Sequence, residues 1–258
     1  MIRIRFQEPN TPEWIAWKKK CRAARIDLIH SKGKDLIDEV LYKATSTLLF
    51  AGYFEKCYFC EAALGVQYKG DVEHFRPKGG VRDADNKDVY IGLGKNRRKH
   101  PGYYWLAYDF NNLMPACSFC NVYKRKIGGK GTRFPVLGFR ASRPGEEKKE
   151  KPVLIHPNED PDKHIDIDLG TGVFFHKTAR GKQCIELLGL NRDGLAAKRR
   201  EAYRSLCMKI GNGFSNPNNN EAINETARAV ANCRDGKAEF SFVGRKTIAA
   251  QKKLAELL

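Results

Sequence analysis

The stretch DVEHFRPKGG, residues 71–80, sets an acid, a histidine, an arginine, a proline and a lysine almost side by side. A histidine with its ordinary pKa of about 6.5 is neutral at physiological pH and can take a proton from water. Glu73, immediately before His74, offers carboxylate oxygens. With the amides of Asn112 and Asn121 downstream, that is a hard oxygen donor set suited to magnesium or manganese. One histidine, one carboxylate and a later asparagine suit metal-assisted phosphodiester hydrolysis. The ion binds a non-bridging phosphate oxygen and neutralises charge on the departing 3′ oxygen. Arg76, Lys78 and Lys124 are candidates to hold the flanking backbone phosphates. The plain alternative for such a polar decapeptide is a solvated surface loop.

The cysteines decide between these readings. Of eight, four form two CxxC pairs, Cys57/Cys60 in CYFC and Cys117/Cys120 in CSFC. Two such pairs in a reducing compartment point to metal rather than disulfides. Four thiolates at about 2.3 Å close the coordination shell of a structural zinc, which then builds the fold and performs no chemistry. Such an ion would draw Glu73 and His74 toward Asn112, Asn121 and Lys124 across a long, structured insert. Cys21, Cys184, Cys207 and Cys233 are scattered and read as buried thiols.

The elements that position these groups follow from periodicity. Trp14, Trp17, Cys21, Ala24 and Leu28 trace one apolar helical stripe. After SKGK, Asp35 can cap a second helix facing inward through Leu36, Val40, Ala44 and Leu48. Residues 57–135 mix aromatic, glycine and basic residues with weak periodicity, so metal replaces part of the core there. GLGKNRRKHPG, 92–102, reads as a solvated basic loop, and RPGEEKKEKP, 143–152, as a charged linker. HIDIDLGTGVFFH is a hairpin pattern with its turn at Gly170–Gly172. Helices are expected at about 181–190 and 192–210, an Asn-rich loop at 211–221, and a last helix carrying Ile248, Leu254 and Leu257 inward. The division expected is an N-terminal helical segment (1–50), a zinc-stapled centre (51–142), the linker (143–152) and a C-terminal hairpin with helices (153–258).

Lys plus Arg total 47 against 30 Asp plus Glu, a net charge of +17. That excess favours a polyanionic partner, nucleic acid above all. The hydrophobic share of 41% is that of a globular protein. No secretory signal opens the chain and no apolar stretch reaches membrane-spanning length, so a cytoplasmic location is expected.

The order CxxC, VEHFRPK, NNL, CSFCN..K resembles the HNH endonucleases, whose fold is the ββα-metal motif. It is most similar to the stand-alone bacterial HNH proteins that accompany an ATPase in Septu-type anti-phage defence and in some retron systems. VLIHPNEDP and GKQCIELLGLNRDGLAAKRRE also look like that subfamily, so the likeness spans roughly residues 50–205. The resemblance implies an α+β fold: an HNH core with a four-cysteine structural zinc, flanked by N- and C-terminal helices. His74 would be the general base, and Asn112 the residue whose amide ties down the loop bearing it. Glu73, where Asp is usual, and Asn121 would hold the catalytic ion. With Asn at the last position, magnesium or manganese is favoured over catalytic zinc. The implied substrate is nucleic acid, DNA before tRNA or other RNA. The implied partner is an ATPase. His100, His156, His164 and His176 match no nuclease position and read as structural or surface groups. The competing function is a non-catalytic zinc-ribbon adaptor, which explains the charge and the thiolates but gives no role to Glu73, His74 and Asn121 together.

Overall fold

The computed structural model describes residues 8–31, 36–65 and 70–255, the side chains of 254 and 255 excepted. The first helix, α1 (Pro12–Ser31), buries Trp14, Cys21 and Leu28, as its stripe predicts. Trp14 and Trp17 stack at 4.8 Å, and Trp14 meets the edge of Phe110 at 4.9 Å, which fastens the helix to the loop ahead of the candidate site.

The second helix departs from expectation. Asp35 lies outside the described residues, and the cap is Asp38, whose carboxylate accepts from the amides of Val40 and Leu41. The element breaks into α2 (Glu39–Lys43) and α3 (Ser46–Gly52). Leu36 and Val40 are 64% and 77% exposed, while Tyr42, Leu49 and Phe50 are buried. The rotation has a cause: the Tyr42 ring packs edge-on against the His74 imidazole at 4.8 Å. A polar contact from distant sequence outweighs the local apolar stripe.

Strand β1 (Asp71–His74) is followed by the short β2 (Tyr90–Ile91) and β3 (Arg98–Lys99), then β4 (Leu113–Ala116) and a single turn of helix, α4 (Ser118–Asn121). β1 and β4 pair antiparallel, with Glu73 opposite Met114 and His74 opposite Leu113. β2 and β3 form their own antiparallel pair.

Residues 143–152 are not a free tether but dock on this centre. Glu150 is buried and accepts from the Tyr103 hydroxyl (2.6 Å), the Ala141 amide (2.8 Å) and Arg76 Nε (3.0 Å). Glu147 accepts from the Trp105 indole at 3.0 Å. Charge made the segment look solvated, but partners far away in sequence satisfy it.

The C-terminal part begins with the expected hairpin, β5 (Ile165–Asp168) against β6 (Val173–His176), with Ile165, Ile167 and Phe174 facing the core. Helices α5 (Ala179–Leu188), α6 (Asp193–Ser215), α7 (Asn220–Arg234) and α8 (Ser241–Ala255) follow. The Asn-rich stretch is partly helical: α6 continues into it as far as Ser215, a turn follows, and the Asn219 side chain caps α7. Ile248 packs against the α6–α7–α8 bundle, whereas Leu257 and the Leu254 side chain lie outside what is described. Arg199 of α6 is fully buried, with its guanidinium 3.7 Å over the Phe174 ring and a 2.7 Å bond to the Leu190 carbonyl. One main hydrophobic core runs from Trp14 to Val243, joining both halves of this mixed α/β chain.

Candidate functional site

Four sulfurs meet where the two knuckles converge. The Sγ atoms of Cys57, Cys60, Cys117 and Cys120 lie within 4.8 Å of one another. The Cys60–Cys117 separation is 3.9 Å, close to the ~3.8 Å edge of a tetrahedron with zinc–sulfur bonds of about 2.3 Å. The cluster therefore fits a single tetrahedral ion such as zinc. Its frame is backbone: the Glu61 amide returns to the Cys57 carbonyl at 2.8 Å, and the amides of Cys120 and Asn121 return to Cys117 at 3.0 and 2.8 Å. The Tyr58 amide bonds the Pro115 carbonyl at 2.9 Å, locking the first knuckle to β4. Arg192, from the start of α6, brings both Nη atoms to 3.9 Å from Cys120 Sγ, where a guanidinium offsets thiolate charge.

β1 runs past this cluster and ends at His74. The imidazole is only 4% exposed yet lines a cleft of about 1060 Å³. Its Nε2 lies 3.0 Å from the Ala107 carbonyl oxygen. A carbonyl only accepts, so Nε2 carries the proton and Nδ1 keeps the lone pair. Burial, with Lys78 and Lys130 adding to it, pushes the pKa down to about 3, so the ring is neutral at physiological pH. Asn112 holds the surrounding loops. Its amide oxygen accepts from the Arg76 amide at 2.7 Å, and its Nδ2 donates to the carbonyls of Arg76 (3.1 Å) and Leu106 (3.2 Å). The last of these precedes His74's own partner, Ala107.

Asp71, Glu73 and Asn121 share the cleft wall with His74. Asn121 donates from Nδ2 to Asp71 Oδ2 at 2.9 Å. Glu73 is paired with the fully buried Lys130, whose Nζ sits 2.5 Å from Oε1. Burial raises the Glu73 pKa, and the ammonium works against that rise. The chain reaches this position through GGKG: the Lys130 amide bonds the Cys120 carbonyl at 2.7 Å, and the Gly131 amide bonds Asn121 at 2.6 Å. Gly129 sits at φ +100°, and a Cβ there would fall 2.1 Å from the Val122 oxygen.

Of the expected phosphate-holding cations, Lys78 lines the cleft, bonded to the Tyr42 hydroxyl and, at 3.0 Å, to Glu39. Lys124 is exposed, over the Phe119 ring at 4.6 Å, and does not itself line the cleft. Arg76 points elsewhere. Its guanidinium pairs with Glu150 and with the Glu147 carbonyl among Phe75, Tyr103 and Phe134, so it braces the core. His100 and His156 bond backbone carbonyls at 2.7 and 3.0 Å, and His164 bonds Thr178 at 3.0 Å, all structural roles.

Sequence reasoning did not single out Asp71, Lys130, Arg192 or Tyr42. Asp71 was legible, being two residues from Glu73 and therefore on the same face of a strand. A lysine bracketed by glycines hinted at a tight turn around Lys130. Nothing local marks Arg192 or Tyr42, whose roles depend on contacts across the fold.

The fold and site thus define a mixed α/β chain with a four-cysteine cluster that could hold a metal ion such as zinc, beside a cleft lined by His74, Glu73, Asp71 and Asn121. This chain is similar to Septu protein PtuB of Bacillus mycoides (strain KBAB4), 33% identical over 171 residues, which are 65% of this chain and 53% of that protein. It is also similar to Septu protein PtuA of the same strain, 31% identical over 157 residues, 58% of this chain and 20% of that protein. The matched region thus spans about half of the first relative and a fifth of the second. No family model matches the chain, and neither does any solved structure. Among the described residues no helix is long and apolar enough to cross a membrane.

Proposed function

We propose that the chain is an HNH endonuclease, hydrolysing phosphodiester bonds in nucleic acid, DNA before RNA, as the effector of an anti-phage defence pair. The observation that carries this reading is the grouping of His74, Glu73 and Asn121 on one cleft wall, with the Ala107 carbonyl setting the imidazole's tautomer and Asn112 bonding the neighbouring Leu106 carbonyl. His74 Nδ1 accepts the proton of the attacking water. The β1–β4 pair followed by α4 supports a ββα-metal core. Asp71, Glu73 and Asn121 would supply oxygen donors for magnesium or manganese, which would stabilise charge on the phosphate and the leaving oxygen. Lys130 opposes the rise in Glu73's pKa that burial causes. The two Septu relatives support a partner protein, which the resemblance to ATPase-paired HNH proteins makes an ATPase.

The test is cleavage of supercoiled plasmid by the purified chain, alone and with a co-expressed ATPase. Cutting that needs added magnesium or manganese, stops with EDTA and leaves ends a ligase can reseal is the expected result. A preparation with full zinc content that binds DNA but never cuts it, with either metal or with the partner, would establish the non-catalytic adaptor instead.

A further inference from the structure

Residues 92–102 were expected to be a solvated loop, yet the chain from Tyr90 to Lys99 folds as a ribbon. Tyr90 pairs with Lys99 and Ile91 with Arg98, and the tip turns through Gly92 at φ +77° and a short 3-10 turn at Gly94–Asn96. Its charge is one-signed: Lys95, Arg97, Arg98 and Lys99 are all exposed, and no acid lies between Tyr90 and Lys99. Lys99 pairs with Asp88, but Lys95, Arg97 and Arg98 have no carboxylate partner among the described residues. Arg97 instead sits over the Tyr90 ring at 4.2 Å. At the tip stands Leu93, 89% exposed.

The base of the ribbon is held firmly. The His100 amide bonds the Val89 carbonyl at 2.8 Å, and its buried ring bridges the Ala141 carbonyl (2.7 Å) and the Gly102 amide (3.0 Å). Gly102 lies so close to the Lys78–Gly79 backbone that a Cβ would fall 2.6 Å from the Gly79 nitrogen. Lys78 and Gly79 also line the cleft that holds His74. The ribbon therefore rises from the rim of the candidate site.

We propose that this ribbon grips double-stranded DNA beside the cleft, with Arg97, Arg98 and Lys95 on backbone phosphates and Leu93 against base edges. The proposal rests on the nuclease reading only for what happens in the cleft. A cationic rim around one apolar tip complements a polyanion with a hydrophobic interior. It does not complement an apolar protein face, where unpaired cations would be buried at a cost. A two-stranded ribbon fits the B-form major groove, about 12 Å wide, whereas the deep, narrow A-form groove excludes side chains. That favours duplex DNA over duplex RNA.

The experiment measures binding of the full-length His74→Ala chain to fluorescent duplex DNA, the matching single strand and duplex RNA over a range of salt. In that background, Arg97→Gln with Arg98→Gln should weaken duplex DNA binding at least about tenfold and flatten the log K against log salt slope by about two. Leu93→Ser should weaken duplex binding with the slope unchanged, and neither variant should shift Tm. Unchanged duplex affinity in both variants would overturn the proposal. So would an equal loss on single strands or duplex RNA. Cleavage assays on the same ribbon substitutions with His74 restored separate the two claims. Ribbon-dependent binding without cleavage by any form leaves the ribbon standing and removes the nuclease. Undiminished binding and cutting by ribbon variants does the reverse.

Discussion

At His74 the proton inventory is set by one carbonyl and one cavity. Unfolded, the imidazole takes a proton near its ordinary pKa of about 6.5. Folded, it resists protonation until about 3. Its contribution to stability is therefore complete above the unfolded value and is lost as pH falls toward the folded one, at about 1.4 kcal/mol per pH unit. Urea unfolding at about pH 6.5 and about pH 5 should show His74→Gln less acid-sensitive than the parent by close to one proton. Equal slopes would mean that the ring is hydrated. The buried Asn112 side chain makes three hydrogen bonds to backbone, two to Arg76 and one to the buried Leu106 carbonyl. Asn112→Ala should cost about 2–4 kcal/mol by chemical denaturation, since unsatisfied buried groups dominate such losses. The Lys130–Glu73 pair is buried on the lysine side. Lys130→Met alone should therefore destabilise by several kcal/mol, about 3–5, and adding Glu73→Gln should recover much of that loss. An additive double variant would show that the pair is not coupled.

At the scale of elements, the two knuckles and the β5–β6 hairpin were legible because their signals are local: CxxC spacing for one, alternation and a glycine turn for the other. The α2 face was misread because Tyr42 turns inward to His74 and Lys78, leaving Val40 in solvent. The ionisable pair Glu73 and His74 was visible in DVEH, but the ammonium paired with Glu73, that of Lys130, sits 57 residues away and is delivered by glycine geometry. Arg76 was misassigned for a similar reason, since its acceptors lie in a segment that looked like a linker. The metal centre makes its own prediction. Purified chain should hold one zinc by elemental analysis, and Cys117→Ser should lose it along with near-ultraviolet circular dichroism. Arg192→Gln should keep the fold but release zinc to a chelator faster, because the thiolate charge loses its nearby guanidinium.

Over the whole molecule the first knuckle also anchors the C-terminal helices. Lys56 donates to the carbonyls of Gly236 and Ala238 and to Ser241, while Glu61 accepts from the Phe242 amide at the start of α8. Removing the ion should therefore loosen α8 together with β1, and hydrogen exchange after chelation should show both elements losing protection. Independent behaviour of the two would mean separate folding units. The net charge of +17 is the other global feature, and it favours the polyanionic partner proposed for the cleft and the ribbon. The most direct measurement compares wild-type and His74→Ala chains of equal zinc content for nicking of supercoiled plasmid with magnesium or manganese and a co-expressed ATPase. The wild type should cut, and the variant should fall by at least about a hundredfold, the scale of a lost general base. Equal cutting by both would remove His74, and with it the reaction assigned to this cleft.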